Sequence, residues 1–460
     1  MNALLVICGL GIFALVAEII NFKKWLPGVV MLGLIAAGIT VAFDFGTSVM
    51  HFSEMLLFDN FSHAFTGLIV ITALFWFWLA QDYFRLQPHI TDRSALILFT
   101  VAGAVIMASF NNMAMLFLGL EILSISLYVL AGSRKESLFS TEAAFKYFLM
   151  GSFATGFLLM GIALVYGATG SFHLTEIASF ISTHDGQLPS FFYAGVLLML
   201  VALVFKISAV PFHFWAPDVY EGSPTTITAF MSTVVKIAAI AAFYRIFAFC
   251  FTSVQGTYIT ILEIITVLTL IIANVTAVYQ NNVKRILAYS SIGHVGYILL
   301  AFIANDVGSA GTIFFYLSAY AAASLTAFAV VHSVESVNRT TTVEYFNGLF
   351  KKNPLLAVAM TFALLSLAGI PPLAGFFGKY MVFAVAIENG FTKMVILGIL
   401  TSLVGVYYYF KIIIAMYFAE PEGAPLEPTT SIRILLIVLT ALGLGMSVFA
   451  DFLVSLIPAH

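Results

Sequence analysis

Fourteen apolar stretches follow one another along this chain, starting near residues 3, 26, 61, 94, 112, 142, 190, 225, 257, 285, 308, 354, 391 and 431. A bilayer core about 30 Å thick is crossed by roughly 20 apolar residues in a helix. Inside it each backbone N–H and C=O must be paired without water, and a helix does this within its own segment. The chain is therefore expected to be an all-α polytopic membrane protein with about 14 transmembrane helices. Charge content agrees: 9% of its 460 residues are Asp, Glu, Lys or Arg and 62% are hydrophobic. A soluble protein carries about a quarter charged residues. The longest polar stretches, 168–189, 337–353 and 419–430, are too short for a soluble domain.

Several classes of function are excluded by the same composition. A net charge of -3 without a basic run argues against nucleic-acid binding. Cys8 and Cys250 both lie in apolar segments, so neither a disulfide framework nor a cysteine metal or iron–sulfur site is supported. No Gly-rich phosphate loop is present, which leaves electron or nucleotide chemistry to a partner. The first basic residues, Lys23 and Lys24, follow the first apolar stretch. A secretory signal has them before it, so that stretch is expected to be a retained span with its N-terminus outside.

Orientation follows from the loop charges. Loops after odd-numbered spans hold eleven basic residues, Lys23, Lys24, Arg85, Arg93, Arg134, Lys135, Lys284, Arg285, Arg339, Lys351 and Lys352, whereas those after even-numbered spans hold only Lys393. Odd loops, and the start of the last span at Arg433, are thus expected on the cytoplasmic side, with both termini opposite. Loops seven–eight and thirteen–fourteen depart from the trend by carrying acids.

With the loops assigned, a few ionisable groups remain inside spans, where a charge costs about 2.5–3.5 kcal/mol to insert and calls for a function or a partner. Glu121 sits near the centre of span five in LFLGLEILSISLYVL, too deep for its short side chain to reach an interface. Lys206 precedes Pro211 by five residues in span seven, and Lys379 follows Pro371 and Pro372 in span twelve. Proline breaks a helix, and at membrane depth a broken helix is tolerated where it is buried or lines water. Lys236 lies mid-span in FMSTVVKIAAIAAF. The plain alternative for each lysine is snorkelling, its ammonium reaching the surface along an apolar stem. His294, ten residues beyond Lys284, can relay protons or pack as a satisfied core residue, with Tyr289, Ser290 and Ser291 beside it to hold water. Lys146 is one turn into span six and reads as a snorkelling lysine or a secondary relay member. Lys411 and Arg245 read as snorkelling residues, Asp218 and Glu221 as caps of the helix starting near Thr225, and Glu18 has no evident partner.

An acid and several lysines in one membrane interior favour a proton relay, because moving a proton at one group biases its neighbour. The two proline-broken spans are five apart, which fits two five-helix units, spans 4–8 and 9–13. An odd number of helices per unit makes the units run in opposite directions, as in transporters built from inverted repeats. The expected organisation is an N-terminal three-helix segment (1–93), two five-helix half-channels (94–250 and 257–418) and a C-terminal helix (431–460).

The strings FKISAVPFHFWAPDVYEGSPTTITAFMSTVVKIA, ILAYSSIGHVGYILL and LAGIPPLAGFFGKY resemble the antiporter-like membrane subunits of respiratory NADH–quinone oxidoreductase, complex I. The resemblance runs from about Leu96 through Tyr417 and fades in spans one to three. It implies that Glu121 and Lys206 form the ion pair of a first half-channel. It also makes Lys236 the central relay and Lys379 the terminal residue of the second half-channel, with His294 and Lys146 on or near the polar axis. The four principal positions hold the residue types the family has there. The resemblance further implies no cofactor in this chain, with NADH, FMN, iron–sulfur clusters and quinone in partner subunits. Its partners would be the other antiporter-like and small hydrophobic membrane subunits, in a bacterial inner membrane. The rival expectations are a stand-alone or Mrp-like cation/proton antiporter and a scaffold that only holds neighbouring subunits. Against the first stands the lack of an added carboxylate cluster for a metal ion.

Overall fold

The structure is a computed structural model that describes residues 1–85, 89–184, 188–304, 308–421 and 425–457. Among these, thirteen helices are long and apolar enough to cross a membrane. They are α1 (Asn2–Ile19), α2 (Leu26–Asp44), α3 (Asn60–Arg85), α4 (Ile90–Ser109), α5 (Met113–Ala131), α6 (Leu138–Thr169), α8 (Ser190–Ile207), α10 (Thr225–Cys250), α11 (Ile259–Val278), α12 (Val283–Ala304), α13 (Ser309–Asn338), α16 (Thr392–Phe418) and α17 (Thr430–Val448). The fourteenth crossing is split into α14 (Pro354–Ala368) and α15 (Ala374–Glu388), each of 15 residues. Two of the shorter helices bear on the site, α7 (Leu174–Thr183) within the polar stretch 168–189 and α9 (Trp215–Gly222) after α8. Residues 185–187 and 422–424 of the polar stretches lie outside the described residues. A small hairpin, Val49–His51 with Leu56–Phe58, joins α2 to α3.

The helices begin where the apolar pattern places them, with α4 and α6 starting four residues earlier than expected. At α6 the cause is a cap: the Ser137 hydroxyl accepts from the Ser140 N–H at 3.4 Å, so helix starts ahead of the apolar run. At α4 the first turn is the polar Ile90–Arg93 with Asp92 at the positive helix end.

Span seven stops at Ile207, where Ser208 adopts a left-handed conformation at φ 65°. Residues 209–214, with Pro211, run irregularly to α9. The freed Val210 N–H is taken by the Thr269 hydroxyl of α11 at 3.0 Å. Span twelve stops at Gly369, with φ 83°, and resumes past Pro371 and Pro372. The Gly375 N–H there donates to the Ser366 hydroxyl at 3.2 Å, and a Cβ on Gly375 would lie 1.8 Å from the Ser366 carbonyl oxygen. Only glycine lets α15 return so close to α14. At each break a freed backbone N–H, of Val210 and of Gly375, thus finds a side-chain hydroxyl.

α10 and α13 are buried along the whole of their apolar windows and α12 almost so, and these helices form the centre of the bundle. α10 carries two π-helical turns, Met231–Val235 and Arg245–Cys250. Lys236 follows the first and Arg245 opens the second.

Two residues read as unpaired or snorkelling are paired. Glu18 meets Lys23 and accepts from the Thr91 hydroxyl at 2.7 Å. Arg245 is buried and bonds Asp59 at 2.8 Å and Ser62 at 2.7 Å, beneath the ring of Phe61. Asp218 and Glu221 do not cap α10, whose first turn has no side-chain cap; opposite charges on other helices draw them away. Lys411 does reach a loop, bonding Gln280 O at 3.0 Å and Asn281 Oδ1 at 2.8 Å.

Candidate functional site

Three ammonium groups lie inside the bundle, with Lys206, Lys236 and Lys379 only 6%, 3% and 7% exposed. Their depth excludes snorkelling. Each is held in the same way, by a serine and over a tyrosine ring.

Lys206, in the last turn of α8, donates to the Ser124 hydroxyl of α5 at 2.7 Å and to the Tyr147 hydroxyl of α6 at 3.4 Å, with that ring 5.6 Å away. Lys236 donates to the backbone carbonyl of Ser291 on α12 at 2.7 Å and to the same residue's hydroxyl, with the Tyr320 ring at 5.7 Å. Lys379 donates to the Ala368 carbonyl at 2.8 Å and to the Ser402 hydroxyl at 3.1 Å, with the Tyr297 ring at 4.9 Å. A desolvated cation over an aromatic face gains about 2 kcal/mol. Among the described residues none of the three has a carboxylate within ion-pair distance. Each proton donor therefore faces neutral oxygens, at least one of them a serine hydroxyl that can hand its own proton on.

Glu121 departs from the expected arrangement. It is half-buried on the side of α5 that carries the exposed Leu118 and Ile125, and it makes no ion pair with Lys206. Lys206 turns instead to Ser124, one helical turn further along α5, and feels the Glu121 charge only at longer range. A cavity of about 10 Å³, room for roughly one water, lies beside Lys206 and is lined by Ser124, Tyr128 and Thr155.

His294 lies between the Lys236 and Lys379 sites. Its Nδ1 meets the Tyr316 hydroxyl at 2.6 Å and its Nε2 the Tyr409 hydroxyl at 3.3 Å. Tyr409 also bonds Ser290, and Tyr320, whose ring is 5.0 Å from the imidazole, donates to Ser291 at 2.8 Å. Lys236, Ser291, Tyr320, His294, Tyr316 and Tyr409 thus form one polar row. A second cavity of about 10 Å³ runs from His294 and Tyr316 to Ser366 and Gly375 at the break in span twelve. Tyr289 takes no part in the polar contacts of this row.

Lys146 stands apart from the row. It belongs to an ionic cluster at the end of the bundle where the basic loops gather, bonding Asp218 at 2.7 Å and Glu142 at 2.7 Å. Arg285 closes the cluster on Asp218 at 2.9 Å and Glu221 at 2.8 Å. Burial pushes the Asp218 carboxyl up, but the bonds and charges of Lys146 and Arg285 outweigh it and hold it below the ordinary carboxylate range. Next to this cluster the almost buried Glu335 accepts from Arg134 at 3.0 Å and Thr225 at 2.5 Å, with Lys284 at 3.8 Å. The acids of loop seven–eight are thus counter-ions to the bases of the neighbouring loops. Among the described residues no group of three or more His, Cys, Asp or Glu is placed to hold a metal ion.

Ser290 and Ser291 stood out beside His294, but the other hydroxyl partners were not legible as site residues in the sequence, since Ser and Tyr are common in such helices. The tyrosine spaced four residues before another in α13 (Tyr316, Tyr320) was the available signal.

Residues 110–405 match the family model described as NADH:quinone oxidoreductase/Mrp antiporter, transmembrane region. The chain is 44% identical to the NADH-quinone oxidoreductase subunit N of Cytophaga hutchinsonii, covering 99% of both. It superposes on a chain of respiratory complex I from Thermus thermophilus with a TM-score of 0.84 at 32% identity, covering 100% of both. A chain of the Mrp complex from Dietzia, at 21% identity and a TM-score of 0.84 over 99% of this chain and 94% of that one, shares the fold. With thirteen membrane-length helices among its described residues, the chain belongs to the NADH:quinone oxidoreductase/Mrp antiporter family of membrane proteins.

Proposed function

We propose that this chain translocates protons as the N-type membrane subunit of a respiratory NADH–quinone oxidoreductase, through Lys206, Lys236, His294 and Lys379. The observation that carries the relay is that three buried ammonium groups, two of them beside the broken helices, each face neutral hydroxyl or carbonyl oxygens. The identity to subunit N over nearly the whole chain favours this assembly over a stand-alone cation/proton antiporter. Its partners are the other membrane subunits of that complex. NADH, FMN, iron–sulfur clusters and quinone belong to partner subunits, and this chain supplies only the proton path.

A proton leaving Lys206 Nζ has the Ser124 and Tyr147 hydroxyls as first acceptors. From Lys236 the path continues over Ser291 and Tyr320 to His294, and through the cavity at Ser366 to Lys379. An accepting hydroxyl hands on its own proton, so no side chain has to travel far. Glu121, half-exposed on α5, acts on Lys206 through its field, and opening that charge toward or away from the site alters how firmly Lys206 holds its proton. The two half-channels are residues 94–250 and 257–418. The membrane is a bacterial inner membrane, with the basic loop end in the cytoplasm and both termini on the outer side.

Two measurements test this. On a native gel of gently solubilised membranes the chain should co-migrate with a band of NADH dehydrogenase activity; migration only in a band without that activity would favour the antiporter. In vesicles of those membranes, Lys236→Ala should cut NADH-driven proton pumping at least tenfold with the complex assembled. Pumping at the unaltered rate would leave a scaffold as the better description.

A further inference from the structure

α9 lies between the two five-span units, and one side chain on it bonds to both. Asp218 bonds Lys146 of α6 through Oδ2 at 2.7 Å and Arg285 of α12 through Oδ1 at 2.9 Å. Lys146 is the sequence neighbour of Tyr147, which accepts from Lys206. Arg285 lies six residues before Ser291, which accepts from Lys236. The two ion pairs therefore grip the same two helices whose hydroxyls serve the two lysines.

α9 itself touches both sites. At its first residue the Trp215 indole stacks on Tyr147 with centroids 4.7 Å apart and an interplanar angle of 7°, and its N–H donates to the Phe205 carbonyl, next to Lys206, at 3.1 Å. Five residues on, about 7.5 Å along the helix, Tyr220 faces Ser291. At its last residue Gly222 packs so closely on α6 that a Cβ would lie 2.4 Å from the Phe139 carbonyl oxygen. α9 has no slack against α6, so its angle is set by what pulls it toward α12.

We propose that Asp218 is a positioning residue of the proton relay, holding α9 between α6 and α12 so that the Lys206 and Lys236 sites respond to each other. The inference rests on the relay proposed above. Side chains 37% and 38% exposed, as those of Asp218 and Lys146 are, form ion pairs that contribute little to stability. Their loss should leave the complex assembled and show in coupling.

The test is the ratio of protons pumped to NADH oxidised in vesicles carrying the full complex. Asp218→Asn should lower that ratio at least twofold, with NADH oxidation in the presence of an uncoupler retained, and Asp218→Glu should restore it. An unaltered ratio in Asp218→Asn, or no recovery in Asp218→Glu, would overturn the proposal. Should the Asp218→Asn complex fail to assemble, Lys146→Met cuts the bridge to α6 and Arg285→Gln cuts both bridges from Arg285 to α9, and a wild-type ratio in either would overturn it. Lys236→Ala is measured beside them. If that variant pumps at the wild-type ratio, it is the relay that falls, whereas loss in Lys236→Ala with no loss in Asp218→Asn removes only the role of Asp218.

Discussion

Lys379 donates to the carbonyl of Ala368 at 2.8 Å, so the ammonium on one half of the broken span caps the last carbonyl of the other half. The C-terminal end of a helix carries partial negative charge, and no acid is needed to hold the lysine there. The contact depends on the tight return of the chain at Gly375.

Gly375→Ala tests that dependence. Its Cβ would stand 1.8 Å from the backbone oxygen of Ser366, which cannot move aside as a side chain can. α15 must shift, taking Lys379 from Ala368, and proton pumping is expected to fall at least tenfold. Gly443→Ala, with open space around the added carbon, should pump normally in the same assay.

Ser291 accepts from both Lys236 and Tyr320. Ser291→Ala leaves two buried donors short of an acceptor, at about 1–3 kcal/mol each, although the Ser291 backbone carbonyl still serves the lysine. Pumping should drop severalfold and the thermal midpoint of the complex should fall. Ser291→Thr keeps the hydroxyl and should retain most of both.

At the far end of α10, Arg245→Met would strand Asp59 beside apolar rings. Removing one partner of a buried ion pair costs about 3–5 kcal/mol, and the low end applies because Asp59 keeps 21% of its side chain exposed. Less intact complex should survive stepwise heating on a native gel. The double change Arg245→Met with Asp59→Asn should recover most of the loss, since no charge is then left alone.

Asp218 sets a pH dependence with a definite sign. Its carboxyl is held below the ordinary range by Lys146 and Arg285 against the opposing effect of burial. The folded state thus binds fewer protons there than the unfolded one. The stabilisation is complete above the ordinary carboxylate pKa of about 3.9 and is lost as pH falls through the lower folded value. Between pH 6 and 8 Asp218 should add no inflection to pumping. Between pH 5 and 3 the Asp218→Asn complex should lose less thermal stability than the unaltered one.

Much of this architecture is legible from hydropathy, because a bilayer permits so few solutions. All fourteen crossings begin within about four residues of the apolar pattern, and the proline breaks fall at Pro211 and at Pro371–Pro372. Lys206, Lys236 and Lys379 stand out because an apolar background makes each charge conspicuous. Apart from Ser291, noted beside His294, their partners do not, since Ser124, Tyr147 and Ser402 are ordinary helix residues until the helices are packed. The Arg245–Asp59 pair spans 186 positions, and no local pattern links residues so far apart. Asp218 and Glu221 misled for a related reason: an acid just before a helix reads as a cap, and only the third dimension brings Lys146 and Arg285 to it.

The π turn at Met231–Val235 places one more residue in α10 than a regular helix of the same rise would hold. Each residue turns an α-helix by about 100°. The wide turn absorbs the surplus residue, so that Lys236 still looks toward Ser291. Deleting that surplus residue would relax the turn to regular helix and leave the ammonium facing α12, whereas one further residue inserted between Thr225 and Val235 would swing it off α12 by about that angle. In this span the count of residues is itself under constraint, so that an added residue would be more damaging than almost any single exchange of side chain.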